Sequence, residues 1–158
     1  MSNPINIRPI RIEDNPLIAT IIRSCLTEFG ANKPGTVYYD KTTDHLFELF
    51  QEKGAAYFIA EQEGRIVGGG GIFPSPGLPL GTCELVKMYL LPEARGMGIG
   101  ATLMNKCISK AKELAFISMY IETLPELKKA ISVYEKFGFD YLDKPLGDTG
   151  HLVVLYGC

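Results

Sequence analysis

Ile7, Ile10 and Ile12 lead the apolar pattern with Arg8 among them, and they predict a first strand that gives way at Asp14, Asn15 and Pro16. Those three residues read as a helix start, with a side-chain oxygen to cap and a proline in the first turn. Leu17, Ile18, Ile21, Ile22 and Leu26 then recur at helical spacing up to Gly30. A loop from Ala31 to Asp40 follows, and Leu46, Leu49 and Phe50 mark a short second helix stopped at Gly54. The period then changes. Ala55 to Glu61 and Ile66 to Phe73 are apolar runs joined by Gln62, Glu63, Gly64 and Arg65, which predicts an antiparallel hairpin. Four consecutive glycines, Gly68 to Gly71, weaken a strand unless another group must approach its backbone closely.

Beyond the Pro74 to Gly81 loop, the pattern predicts a strand over Thr82 to Leu91 and a helix over Gly98 to Leu114. A strand over Ile117 to Thr123, a helix over Pro125 to Phe137 and a closing strand pair, Phe139 to Asp143 with Leu152 to Tyr156, complete the chain. The order βααβββαβαββ predicts an α/β (α+β) domain with a mixed sheet and one strand–helix–strand crossover, parallel and right-handed.

Composition narrows the classes. A chain of 158 residues, 46% hydrophobic and 22% charged, fits one globular domain and needs no metal or disulfide to hold it. Sixteen basic against eighteen acidic residues leave a net charge of -2, which argues against a nucleic-acid binder working through a broad basic field. No apolar run approaches a membrane span, and the N-terminus lacks a signal-peptide core, so the expected address is the cytoplasm. Cys25, Cys83, Cys107 and Cys158 form no CxxC pair, and with only His45 and His151 beside them no metal site is expected. They read as buried reduced thiols.

The informative stretch runs from Glu84 through Leu91, Pro92 and Arg95 to Gly96, Gly98, Gly100 and Ala101. A strand enters a short loop, and three alternating glycines open an amphipathic helix. Amides at such a start lack helical partners, the dipole favours negative charge, and glycine lets a phosphate reach the donors. Gly96, Gly98 and Ala101 also satisfy a dinucleotide-binding spacing, with Glu122 about 20 residues further on. Context excludes it, because a proline loop intervenes and too little chain follows for a long βαβ array. No Gly-Lys-(Ser/Thr) follows, so the Walker pattern fails as well.

Arg95-x-x-Gly98-x-Gly100 resembles the (Gln/Arg)-x-x-Gly-x-(Gly/Ala) signature of the GNAT superfamily of acetyl-CoA-dependent N-acetyltransferases. Tyr134-Glu-Lys-Phe-Gly138-Phe139 is similar to that family's helix-end Tyr-x-x-x-Gly-Phe, and the resemblance spans nearly the whole chain. It implies one N-acetyltransferase domain over 5–158: a twisted, mostly antiparallel sheet with a central splayed parallel strand pair and about four helices. It also implies acetyl-CoA as cosubstrate, with coenzyme A as product. Arg95, Gly96, Met97, Gly98, Ile99, Gly100 and Ala101 would hold the pyrophosphate, and Met88, Tyr89 and Leu90 would pair with the pantetheine arm. The splay would lie between the strands ending near Leu90 and Thr123, helped by a bulge near Met88.

Direct attack of an amine on a thioester needs a neutral amine, a polarised carbonyl and a proton for the leaving thiolate. Glu84 and Glu122 are the base candidates. Glu84 lies four residues before Met88, where the family's histone acetyltransferase branch places its base, and Glu122 twelve before Tyr134, as in the ribosomal-protein branch. Glu84 is favoured because it interrupts an apolar strand, although Lys87 on that strand offers it a partner. By the same resemblance Tyr134 is the acid that protonates the thiolate, while its place on an apolar helical stripe also fits a core residue.

The function implied is transfer of acetyl from acetyl-CoA to a primary amine of a small molecule or peptide, with no nucleic-acid or membrane partner. A non-catalytic acyl-CoA-binding regulatory module is the alternative. The acceptor pocket is expected between the Gly30 to Asp40 loop, the Pro74 to Gly81 loop and the closing strands, with Tyr38, Tyr39 and His151 as candidate lining. Members of the family often form homodimers, and no interface is legible in this sequence.

Overall fold

A computed structural model of the chain describes residues 5–34, 37–123, 134, 136–141 and 152–157. Strand β1 (Ile5–Pro9) stops short of its expected end, and Ile12–Asp14 forms a single 3-10 turn. The cause is Asp14: its carboxylate accepts from the Arg11 amide (2.7 Å) and from both terminal nitrogens of Arg8 (2.8 and 2.9 Å), which curls the chain. Asp14 therefore does not cap helix α1 (Asn15–Glu28) with its side chain, contrary to expectation, although Pro16 stands in the first turn. Gly30 adopts φ +72° just beyond the helix end. Helix α2 (Leu46–Leu49) is a single turn extended by the 3-10 segment Lys41–His45.

Strands β2 (Ala56–Gln62) and β3 (Arg65–Phe73) form the expected hairpin. Glu63 and Gly64 both have positive φ, as a two-residue turn matching the twist of its strands requires. Strand β4 (Thr82–Leu90), helix α3 (Ile99–Glu113) and strand β5 (Ser118–Thr123) follow, and β6 (Asp140–Tyr141) and β7 (Leu152–Gly157) close the sheet. The order is β1-β2-β3-β4-β5-β7-β6, antiparallel except for the β4–β5 pair. The expected helix over Pro125 to Phe137 lies mostly outside the described residues, within which Tyr134 and Lys136 are helical.

The sheet separates two apolar layers. On one face α1 and α2 pack Ile18, Ile22, Leu46 and Phe50 against Tyr57 and Ile59. On the other, α3 packs Leu103, Met104 and Cys107 against Val67, Leu85, Met119 and Ile121. Burying such side chains contributes roughly 1.5–3 kcal/mol each, so α3 and the turn before it are firmly seated. Cys25, Cys83 and Cys107 are buried free thiols, and Cys158 lies outside the described residues.

The glycine run has a packing explanation. A Cβ at Gly69 or Gly71 would stand 2.7 Å from the Tyr57 ring, and one at Gly70 would stand 2.7 Å from the Met88 side chain. The close approach expected from the sequence is thus made by the chain's own side chains on both faces of β3.

Candidate active site

The β4–β5 pairing covers only Thr82↔Ser118, Cys83↔Met119 and Glu84↔Tyr120. Beyond Glu84 the strands part while β4 continues to Leu90 and β5 to Thr123. One edge of β4 is therefore open toward a wedge-shaped gap. A register shift makes the parting sharper: Gly69 faces Tyr89 and Gly71 faces Val86, so Lys87 and Met88 together oppose Gly70. Lys87 takes φ +52°, a left-handed conformation that costs a non-glycine residue about 1 kcal/mol or more. Tyr57, fully buried across the glycines, donates its hydroxyl to the Lys87 carbonyl at 2.8 Å and holds the bulge. The bulge expected near Met88 is present.

At the end of β4 the chain turns through Pro92–Ala94 into the glycine loop. Gly96 and Gly98 have φ of +75° and +81°, which demand glycine, and a Cβ built on either meets no atom within 4 Å. That face of the loop is open. Gly100 differs, because a Cβ there would make only ordinary contact, 3.7 Å from Leu90, consistent with a position that admits alanine. Gly98 precedes the first turn of α3, and the Thr102 amide is the one that reaches back to its carbonyl. The amides of Ile99, Gly100 and Ala101 have no acceptor within the helix, so three donors and the dipole converge on the open face.

Arg95 does not extend its side chain toward that face. Its guanidinium forms a bidentate pair with Glu28 (2.6 and 2.8 Å), donates to the Leu90 carbonyl (3.1 Å) and lies over the Phe29 ring. Its work is to clamp the glycine loop and the end of β4 onto α1, a role for which Glu28 carried no signal in the sequence. Met88 and Leu90 pack against the α3-side core, and Tyr89 against the α1-side layer. Met97 is exposed, and Gln62 donates to its sulfur.

Glu84 and Tyr120 are register partners, and Glu122 stands two residues further along β5, so all three share one face of the sheet. Glu84 is half-buried and accepts a 2.5 Å hydrogen bond from Ser75. Burial raises its pKa above the ordinary carboxylate value; Ser75 opposes the rise, the Glu122 charge adds to it, and Lys87 offsets part of it. Tyr120 donates to Glu122 at 2.7 Å. The structure thus brings both sequence candidates to the mouth of the same gap. Lys87, the partner expected for Glu84, makes no direct pair with it, and Ser75 takes that place. Ser75 and Tyr120 were not legible as site residues, since a serine in a proline loop and a strand tyrosine are common.

Tyr134 lies toward the opposite face, in the α3-side core, 8% exposed and with its ring 5.9 Å from that of Phe139. Burial raises its pKa, and so do the Tyr89 phenol and the Cys107 thiol near it. It stays protonated at neutral pH. Of the expected acceptor-side residues, Tyr39 is 60% exposed, and Tyr38 stacks edgewise on it and accepts from Arg23 through its carbonyl. His151 lies outside the described residues.

Residues 19–139 match the profile of the Acetyltransferase (GNAT) family. The chain is 43% identical over 147 residues to YjgM of Escherichia coli (strain K12), an uncharacterized N-acetyltransferase, covering 92% of this chain and 87% of that one. Among solved structures, a GNAT-family acetyltransferase of Staphylococcus aureus Mu50 superposes with TM-score 0.84 at 21% identity, over 98% of this chain and 99% of its own. The paiA N-acetyltransferase of Thermoplasma acidophilum, solved in complex with coenzyme A, gives TM-score 0.78 at 19% identity over 98% and 99%.

Proposed function

This chain belongs to the acetyltransferase (GNAT) family, and from that premise we propose that it transfers the acetyl group of acetyl-CoA to a primary amine by direct attack. The single observation that carries the reading is the early end of β4–β5 pairing, which opens a gap with Glu84 and Glu122 at its mouth.

The residues present fit the donor. Three helix-start amides beside two open left-handed glycines suit a pyrophosphate, and the unpaired edge of β4 from Leu85 to Leu90 suits an extended arm with amide groups. When bound, acetyl-CoA supplies an acyl carbon activated as a thioester. The work of the protein is then positional and electrostatic. Glu84, half-buried with a raised pKa, is the base in this reading and removes one proton from the amine. A bond forms from the amine nitrogen to the acyl carbon, and the carbon–sulfur bond breaks. Tyr134, whose raised pKa keeps its phenol protonated at neutral pH, gives its proton to the departing thiolate and regains one from solvent, so coenzyme A leaves as the thiol.

The test is release of free thiol from acetyl-CoA across amino acids, polyamines, aminoglycosides and peptides. Amine-dependent release, with the acetylated amine identified by mass, is the expected result. Tight binding of acetyl-CoA with release from none of these amines overturns the reading and leaves a binding module.

A further inference from the structure

We infer that Lys87 anchors an anionic group of the acceptor, so that the substrate is an amine carrying a carboxylate close to its nitrogen, with a free α-amino acid as the smallest example. This rests on the acetyltransferase reading and narrows its acceptor.

Lys87 is placed with unusual care. It sits in the bulge of β4 at φ +52°, opposite Gly70, with its carbonyl held by the buried Tyr57 hydroxyl. A strained non-glycine conformation persists where its surroundings enforce it, and here it sets the departure of one cationic side chain at the start of the open edge. The ammonium is half-buried and makes no ion pair among the described residues. Burial depresses its pKa, while Asp40 and Glu84, the charges that face it, push it back up.

Both of those carboxylates are engaged elsewhere. Asp40 accepts from the Thr42 amide and hydroxyl at 2.9 and 2.8 Å, and Glu84 accepts from Ser75. A partly desolvated ammonium without a direct partner is stabilised by an anion docked beside it. The surroundings also alternate in sign: Glu84 stands at the narrow end of the gap, Glu122 two residues beyond the last pair on β5, and Lys87 three residues beyond Glu84 on β4. Carboxylates at one end favour the arriving ammonium, and the lysine favours an anion beside it. A substrate carrying both charges meets both, whereas a simple alkylamine leaves the lysine unanswered. If Lys87 merely balanced the acids, charge alone would matter and acceptor structure would not.

The experiment compares each L-amino acid with its α-carboxamide as acceptor, alongside alkylamines, in the full-length protein. Wild type is expected to favour the free acid by about tenfold or more in kcat/KM. In Lys87→Met the preference is expected to fall to within about twofold of unity, with the loss carried by KM, and Lys87→Arg is expected to restore part of it. Calorimetric acetyl-CoA binding reports whether each variant is folded, and Lys87→Gln replaces the Met variant if that one is not. A wild-type acid-to-amide ratio near one, or a preference that survives loss of the lysine charge, overturns the anchor. Acetylation of amides and alkylamines alone overturns the anchor and leaves the transferase reading standing. Acetylation of none of these amines overturns both.

Discussion

Glu84 is kept in a place that costs the fold. Burial raises its pKa, so its ionised form is disfavoured in the native state relative to the unfolded chain. The sign follows. At low pH, where both states are protonated, the penalty is absent; it grows as pH rises through the unfolded value and is full above the folded one. Glu84→Gln is therefore expected to raise the melting temperature at pH 8 more than at pH 4 while lowering turnover, measured by calorimetry and steady-state kinetics. The acid limb of kcat/KM is expected to move to higher pH in Ser75→Ala, because that hydrogen bond is the larger of the two influences, with Lys87, that lower the Glu84 pKa. A pH–rate profile unmoved by either substitution assigns the base to Glu122 or to water. Tyr134→Phe is expected to reduce kcat by about tenfold or more with acetyl-CoA affinity intact, a loss within the range of one oriented donor.

At the scale of elements, the glycine run of β3, the Tyr57 ring and the bulge of β4 form one device. Tyr57 can lie across β3 because Gly69 and Gly71 offer no Cβ, and from there its hydroxyl fixes the Lys87 carbonyl. Tyr57→Phe keeps the ring and removes the bond, so a loss of about 1 kcal/mol in chemical denaturation is expected, with a larger proportional loss in kcat/KM. Gly98→Val acts on the other element junction. At φ +81° a β-branched residue is strained, and the open face would be filled by its side chain, so acetyl-CoA binding is expected to vanish in calorimetry. Binding that persisted would remove the α3 start as the phosphate site. The Arg8–Asp14 pair is an element device of another kind. Burial alone would raise the Asp14 pKa, but bonds from Arg8 and the Arg11 amide bring it below its ordinary value. Its stabilising effect is present above the unfolded carboxyl pKa and lost as pH falls through the folded one.

For the whole molecule, the division of the site between two faces of the sheet has a kinetic consequence. In the proposed mechanism the amine attacks the thioester directly, with Glu84 on one face of the sheet and Tyr134 in the core on the other, so both substrates are held at once and no acetyl-enzyme forms. Initial-rate patterns are expected to intersect as for a ternary complex; parallel lines and a trapped acetyl-enzyme would contradict that.

Periodicity along the chain was enough for the order of elements up to β5 and for the β2–β3 hairpin, because a change from helical to alternating spacing is local, whereas the helix expected over Pro125 to Phe137 lies mostly outside the described residues. The glycine turn was legible too, since positive φ at Gly96 and Gly98 is a backbone demand that only one residue type meets cheaply. The sequence also marked Glu84, Glu122 and Tyr134 as chemistry without being able to say that the carboxylates meet at one gap. That depends on where β4 and β5 cease to pair, which no spacing records. Arg95 shows the same boundary from the other side: its motif position was evident, but its partner Glu28 comes from a helix far away in the chain. Local conformation is written in neighbouring residues, whereas the partner of a charge and the direction of a strained lysine are decided only when distant segments pack.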